Sequence, residues 1–126
     1  GNSLVTMSLS GAQIKTLLET QFVGCNGQLA ERILQVSQGF SYRYTTSQPC
    51  NARIDQMMLD GLPVNPAASY RVTVNSFLAD GGDGFVVLRE GTLRLGGAVD
   101  TDAFEAYLQS TPGGVSPGPQ NRITRQ

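Results

Sequence analysis

An α+β domain is the fold this sequence predicts, with a mixed, largely antiparallel sheet packed against helices. Three observations predict it. Stretches with strand period recur along the chain, only two segments carry helical spacing, and the two kinds are interspersed without a steady βαβ alternation. At 126 residues, 40% hydrophobic and 15% charged, the chain suits one domain, 1–126, around a single core.

The elements follow in order. Over 3–9, Val5, Met7 and Leu9 share one face while Thr6 and Ser8 share the other, the period of a half-buried strand. Ser10 and Gln13 then form an S-x-x-Q capping box, and Ile14, Leu17, Leu18 and Phe22 continue at helical spacing. That predicts a helix over 11–22, stopped before Gly24. A Gly/Asn-rich loop leads to a short apolar stretch at 33–36. Phe40, Tyr42 and Tyr44 alternate with Ser41 and Arg43, a strand by period and by propensity.

Residues 45–51 read as loop and 52–59 as a further strand, closed by the Asp60-Gly61 turn signal. Pro63 and Pro66 punctuate the way to a strand over 70–75. The glycine-rich loop 81–84 follows, and 85–89 fits either a helical turn or a short strand. Asp100 or Thr101 is expected to cap a second helix with Phe104, Tyr107 and Leu108 as its apolar stripe. The Pro/Gly-rich stretch 111–119 reads as a linker, and 122–124 as a returning edge strand.

Composition narrows the function. The net charge is −1, and the basic residues are scattered arginines with Lys15 the only lysine. No basic stripe exists to track a nucleic-acid backbone, and the arginines read as solvated surface. No apolar run approaches the ~20 residues of a membrane-spanning helix. The first residues carry no leader-like pattern, so they read as a boundary or a mature internal segment.

The chain holds no histidine and only two cysteines, Cys25 and Cys50, so a protein-built transition-metal site is not expected within it. Both a disulfide and two free thiols stay open for that pair. A bond would contribute about 3 kcal/mol and would speak for a periplasmic or extracellular setting.

The most informative stretch is 74–85. Counting along the strand, Tyr70, Val72 and Val74 share one face, while Arg71, Thr73, Asn75 and Phe77 share the other. A straight strand puts the Phe77 ring on the polar face, where a flat ligand could stack. A bend at Ser76 would instead pack it inside. Behind it, Gly81, Gly82 and Gly84 surround Asp83. Glycine permits close approach by a ligand, and Asp83 could accept from vicinal hydroxyls or bond its own backbone in a tight turn. The loop matches neither G-x-G-x-x-G nor Walker A, so no phosphate cradle is indicated.

Residues 75–85 resemble the N-x-F-x-x-x-G-G-D-G-F/Y signature of the C-terminal domain of 5′-nucleotidases, the family of UDP-sugar hydrolases and ecto-5′-nucleotidase. Two further segments agree in order. Gly1-Asn2-Ser3-Leu4, with Gly11 and Leu17-Leu18-Glu19, resembles the family's F-G-N-x-L segment and the helix after it. Ile33-Leu34-Gln35-Val36-Ser37 resembles F-L-Q-V-S-G, departing at Ile33 and Gln38. The agreement covers residues 1 to about 108.

The resemblance implies that a nucleobase lies between two phenylalanines, one being Phe77 and the other falling just before Gly1. It implies that Asn2 hydrogen-bonds the base and that Asp83 holds the ribose hydroxyls. It also implies a partner within the same polypeptide: an N-terminal metallophosphatase domain with two divalent metal ions, where a nucleotide's phosphate ester is hydrolysed. This domain alone would then be inactive, with no catalytic residue of its own. The setting implied is periplasmic, secreted or cell-surface. The rival readings are a 2′,3′-cyclic-nucleotide phosphodiesterase, a thiosulfo-ester hydrolase with a related C-terminal domain, or a non-catalytic binding module.

Overall fold

A computed structural model describes residues 2–100, 107–109 and 123–125. Strand β1 (Asn2–Ser10) runs straight into helix α1 (Gly11–Glu19). The junction is the anticipated capping box. The Ser10 hydroxyl accepts from the Gln13 N–H at 3.1 Å, and the Gln13 side chain accepts from the Ser10 N–H at 2.8 Å. Two backbone donors that would otherwise be orphaned at the helix start are thus satisfied. The helix stops at Glu19, earlier than its spacing suggested, and Phe22 is buried in the turn that follows.

The next strands are β2 (Phe40–Tyr44), β3 (Ile54–Leu59), β4 (Leu62–Pro63) and β5 (Ser69–Asn75). Asp60 and Gly61 both take the positive φ of a two-residue hairpin turn, which pairs Leu59 with Leu62. After β5 come a single helical turn, α2 (Ser76–Ala79), and two 3₁₀ turns at Gly82–Gly84 and Val86–Glu90. Strands β6 (Thr92–Asp100), β7 (Tyr107–Gln109) and β8 (Ile123–Arg125) complete the described residues.

The strands form two four-stranded sheets, in the orders β6-β1-β5-β7 and β4-β3-β2-β8. All pairings are antiparallel except β2 with β8. That is the α+β class expected, with its strands divided between two sheets. The 122–124 segment does return as an edge strand, shifted by one residue and parallel to β2.

The second helix is a correction. Asp100 lies in β6, paired with Asn2, and Tyr107 and Leu108 lie in β7, paired with Thr73 and Val72. Open edges on β1 and β5 offer rows of backbone partners, and satisfying them outweighs a weak helical stripe. Thr101 and Phe104 lie outside the described residues. So does the stretch 111–119.

One continuous core joins the layers. Met7 and Leu9 of β1 and Val72 and Val74 of β5 meet Ile14, Leu17 and Leu18 of α1, with Phe40, Tyr42 and Tyr44 from β2. Each is at most 9% exposed, so each large apolar side chain contributes about 1.5–3 kcal/mol. Glu19, buried at the end of α1, accepts from the Arg53 and Ile54 N–H groups at 3.1 and 3.0 Å and from Lys15 at 2.6 Å. It thereby ties the first sheet's helix to the start of β3. No described helix is long and apolar enough to cross a membrane.

Candidate functional site

The site begins where β5 ends. Asn75 is the N-cap of α2, its Oδ1 accepting from the Leu78 N–H at 2.8 Å, so the chain turns there instead of running on. Neither strand geometry weighed for Phe77 is realised. The ring is on a helical turn, and it is 47% exposed although it is not on a strand face. The next residue, Leu78, takes the inward position instead.

The loop is shaped by residues in left-handed conformation: Gly81 at φ 90°, Asp83 at 56° and Gly84 at 83°. Aspartate tolerates that region better than most side chains, because its short polar group bonds locally. Gly82 is required by space. A Cβ there would stand 2.5 Å from Cε2 of Phe77 and 2.6 Å from its carbonyl oxygen. The ring therefore lies directly on the Gly82 backbone. At Gly81 a Cβ would meet the Arg89 guanidinium at 2.6 Å. Phe85, 1% exposed, anchors the far end of the loop in the core.

Opposite this loop runs the connection from α1 to β2. A groove of about 310 Å³ separates them, lined by Arg32, Ile33, Leu34, Leu78, Asp83 and Phe85. Gln21, fully buried, fixes the far wall. Its Oε1 accepts from the Leu34 N–H at 2.7 Å, and its Nε2 donates to the Tyr42 hydroxyl at 3.1 Å. Burial pushes the Tyr42 hydroxyl far above its ordinary pKa against the opposing pull of Gln21, so it stays a neutral donor to the Leu34 carbonyl. Cys25 and Cys50, left open by the sequence, are disulfide-bonded with Cα atoms 5.4 Å apart.

The same wall reaches across the groove. Arg32 Nη1 stands 3.3 Å from the Asp83 carboxylate, and Gln28 Nε2 donates to the Asp83 carbonyl at 2.8 Å. Neither residue stood out in the sequence; Arg32 was one more scattered arginine beside the Ile33–Ser37 motif. The described arginines do lie at the surface, as the sequence suggested, but Arg89 and Arg94 also bond the backbone. Arg94 Nη2 donates to the Ala79 and Leu88 carbonyls at 2.8 and 2.7 Å, and Arg89 Nε to the Asp80 carbonyl at 2.8 Å. A planar fork of donors suits the orphan carbonyls of short helical turns.

The structure thus brings Phe77, Gly82 and Asp83 into one turn beside the groove, although Phe77 itself is not in the groove lining. Asn2 belongs to the same end of the sheet. The antiparallel register pairs Leu4 with Asn75, so the start of β1 lies beside the end of β5. Among the described residues no group of three or more His, Cys, Asp or Glu side chains could hold a metal ion.

Comparison with known proteins finds relatives along nearly the whole chain. The family profile described as "5′-nucleotidase, C-terminal domain" matches residues 1–90. A 5′-nucleotidase-related protein of Glossina morsitans morsitans is 33% identical over 98% of the chain and 23% of its own length. A trifunctional nucleotide phosphoesterase of Bacillus subtilis is 32% identical over 98% of the chain and 9% of its own length. Among solved structures, a 5′-nucleotidase precursor from Thermus thermophilus superposes with a TM-score of 0.62. It is 30% identical, over 99% of this chain and 25% of that one. The chain therefore spans at most about a quarter of the length of these relatives. With the profile covering most of its length and the fold superposing throughout, the chain belongs to the 5′-nucleotidase C-terminal domain family.

Proposed function

We propose that this chain is the substrate-gripping domain of a two-domain nucleotide hydrolase. The observation that carries the reading is the 75–85 turn. There an aromatic ring, half in solvent, is held close against Gly82, one residue from a carboxylate at the rim of a groove. Phe77 stacks on the nucleobase, a contact worth about 1–3 kcal/mol per base. Asp83 accepts from the ribose hydroxyls. Its carboxylate has lone pairs for several donors, so the Arg32 contact at one oxygen does not exhaust it. Asn2, at the same sheet end, completes the set on the base side.

Both interactions are binding terms, and they hold a phosphate ester in place for chemistry elsewhere. The described residues do not fit the two divalent metal ions that the family resemblance implies. Those ions and the hydrolysis belong to a metallophosphatase domain of the same polypeptide. Relatives named as 5′-nucleotidase-related and nucleotide phosphoesterase proteins support nucleotides as the substrate class. The disulfide supports a setting outside the reducing cytoplasm.

Titration of the chain with adenosine and with AMP, followed by amide NMR, tests the reading. Saturable shifts centred on residues 75–85, lost in Phe77→Ala, are expected. A half-exposed ring can be truncated without unfolding the domain, so the variant's spectrum otherwise stays in place. An absence of shifts at millimolar ligand overturns nucleoside binding by this turn.

A further inference from the structure

We infer that Gln28 and Arg32 form a bracket that sets the Asp83 carboxylate, making them positioning residues for recognition of the ribose 2′ and 3′ hydroxyls. The inference rests on the nucleoside reading above and goes beyond it. Asp83 is the one non-glycine residue of the Gly81–Gly84 loop and is held in left-handed conformation, with Arg32 as the ion-pair partner of its carboxylate. Both its ends are held from across the groove. Gln28, 3% exposed, donates through Nε2 to the Asp83 carbonyl at 2.8 Å and to the Thr20 carbonyl at 2.9 Å. Its Oε1 accepts from Arg32 Nε at 3.0 Å, and Arg32 Nη1 reaches the Asp83 carboxylate at 3.3 Å.

One guanidinium therefore spans Gln28 and Asp83 through two of its nitrogens. That needs two donors at fixed separation, which arginine has and the single ammonium of lysine lacks. The bracket is itself fastened. The Gln28 N–H donates to the Cys25 carbonyl at 2.9 Å, its carbonyl accepts from the Gly24 N–H at 2.8 Å, and Cys25 is bonded to Cys50. The Arg32 N–H donates to the Gln21 carbonyl at 2.8 Å. A carboxylate whose rotamer is already chosen gives up less freedom on meeting a diol than one free to turn. Arg32 leaves the second oxygen of Asp83 for the ligand and points the pair into the groove that both residues line.

The test compares adenosine with 2′,3′-dideoxyadenosine by NMR titration of the wild-type chain, Asp83→Asn, Arg32→Ala and Arg32→Lys. The wild type prefers adenosine, and Asp83→Asn flattens that preference. Arg32→Ala lowers adenosine affinity about three- to tenfold while leaving the dideoxy compound unchanged. Arg32→Lys behaves like the alanine variant. A loss of general order would weaken both ligands alike, so equal losses overturn the bracket, as does a preference that survives in Arg32→Ala. A wild type that binds both nucleosides equally overturns the role of Asp83 and the bracket with it. A wild type that binds neither overturns the nucleoside reading itself, a result distinct from the others. Arg32 is 38% exposed at its side chain, so its variants keep the fold, and their amide spectra verify that.

Discussion

The two walls of the groove are both irregular chain, yet they are ordered by different means. The 75–91 wall is shaped locally. Asn75 caps the turn, Gly81, Asp83 and Gly84 supply positive φ, and Gly82 has no side chain to displace Phe77. The 20–37 wall also takes positive φ, at Gly24, Asn26 and Gly27, but it is tied further afield. A disulfide and the buried amides of Gln21 and Gln28 hold it, reaching partners distant in sequence such as Tyr42 and Asp83. The first wall presents the ring and carboxylate; the second decides where that carboxylate sits. A binding surface can thus be encoded in one segment and tuned from another.

The largest expected effect separates the walls directly. A Cys25→Ser/Cys50→Ser double variant should lose about 3 kcal/mol of unfolding free energy in urea titrations. Hydrogen exchange should quicken at the Gln28 and Arg32 amides, whose acceptors are the Cys25 and Gln21 carbonyls, before it does at Leu78. Uniform acceleration in both walls would show that they are one cooperative unit.

A smaller effect belongs to the local wall. Gly82→Ala places a methyl against the Phe77 ring and carbonyl and should cost about 1–2 kcal/mol by overpacking. Its chief signature is displacement of the ring, read as loss of nucleoside-induced shifts with the disulfide wall unmoved. Retained shifts would mean that the ring's seat on Gly82 is dispensable.

The smallest effect lies outside both walls and serves as their control. A hydrogen bond from Arg43 holds the Asp55 carboxyl below its ordinary value of 3.8. The depressed folded-state value makes the pair's contribution complete above that ordinary value and lost as pH falls through the lower one. Asp55→Asn should therefore leave neutral-pH stability almost unchanged, since exposed pairs contribute little, and should flatten only the acid limb of a stability-versus-pH curve. An identical acid limb in wild type and variant would dismiss the pair as a contributor.

Much of the fold near the site was legible. The capping box at Ser10 and Gln13, the alternation of Phe40, Tyr42 and Tyr44, and the Asp60-Gly61 hairpin are decided by neighbours within a few residues, and all are found. The misreading of Asp100 and Tyr107 has the opposite cause. Those residues sit in strands because β1 and β5 present open edges from far along the chain. The alternation that opens strand β6, with Leu93 and Leu95 against Thr92 and Arg94, is cut short by Gly96 and Gly97.

The site divides in the same way. Gly81-Gly82-Asp83-Gly84 stood out because its glycines answer to local backbone geometry. Gln28 and Arg32 did not, because a buried amide and a reaching guanidinium have no sequence pattern of their own. Their meaning comes from acceptors more than fifty residues away. By itself, the sequence determined the class of the domain, its caps and turns, and the residues of the 75–85 signature, all products of short-range sterics and hydrogen bonding. Only the tertiary structure decided that Phe77 rides on a helical turn with its ring on Gly82, that Cys25 meets Cys50, and that Arg32 crosses to Asp83. Those contacts join surfaces that exist only once the two sheets have closed on a common core.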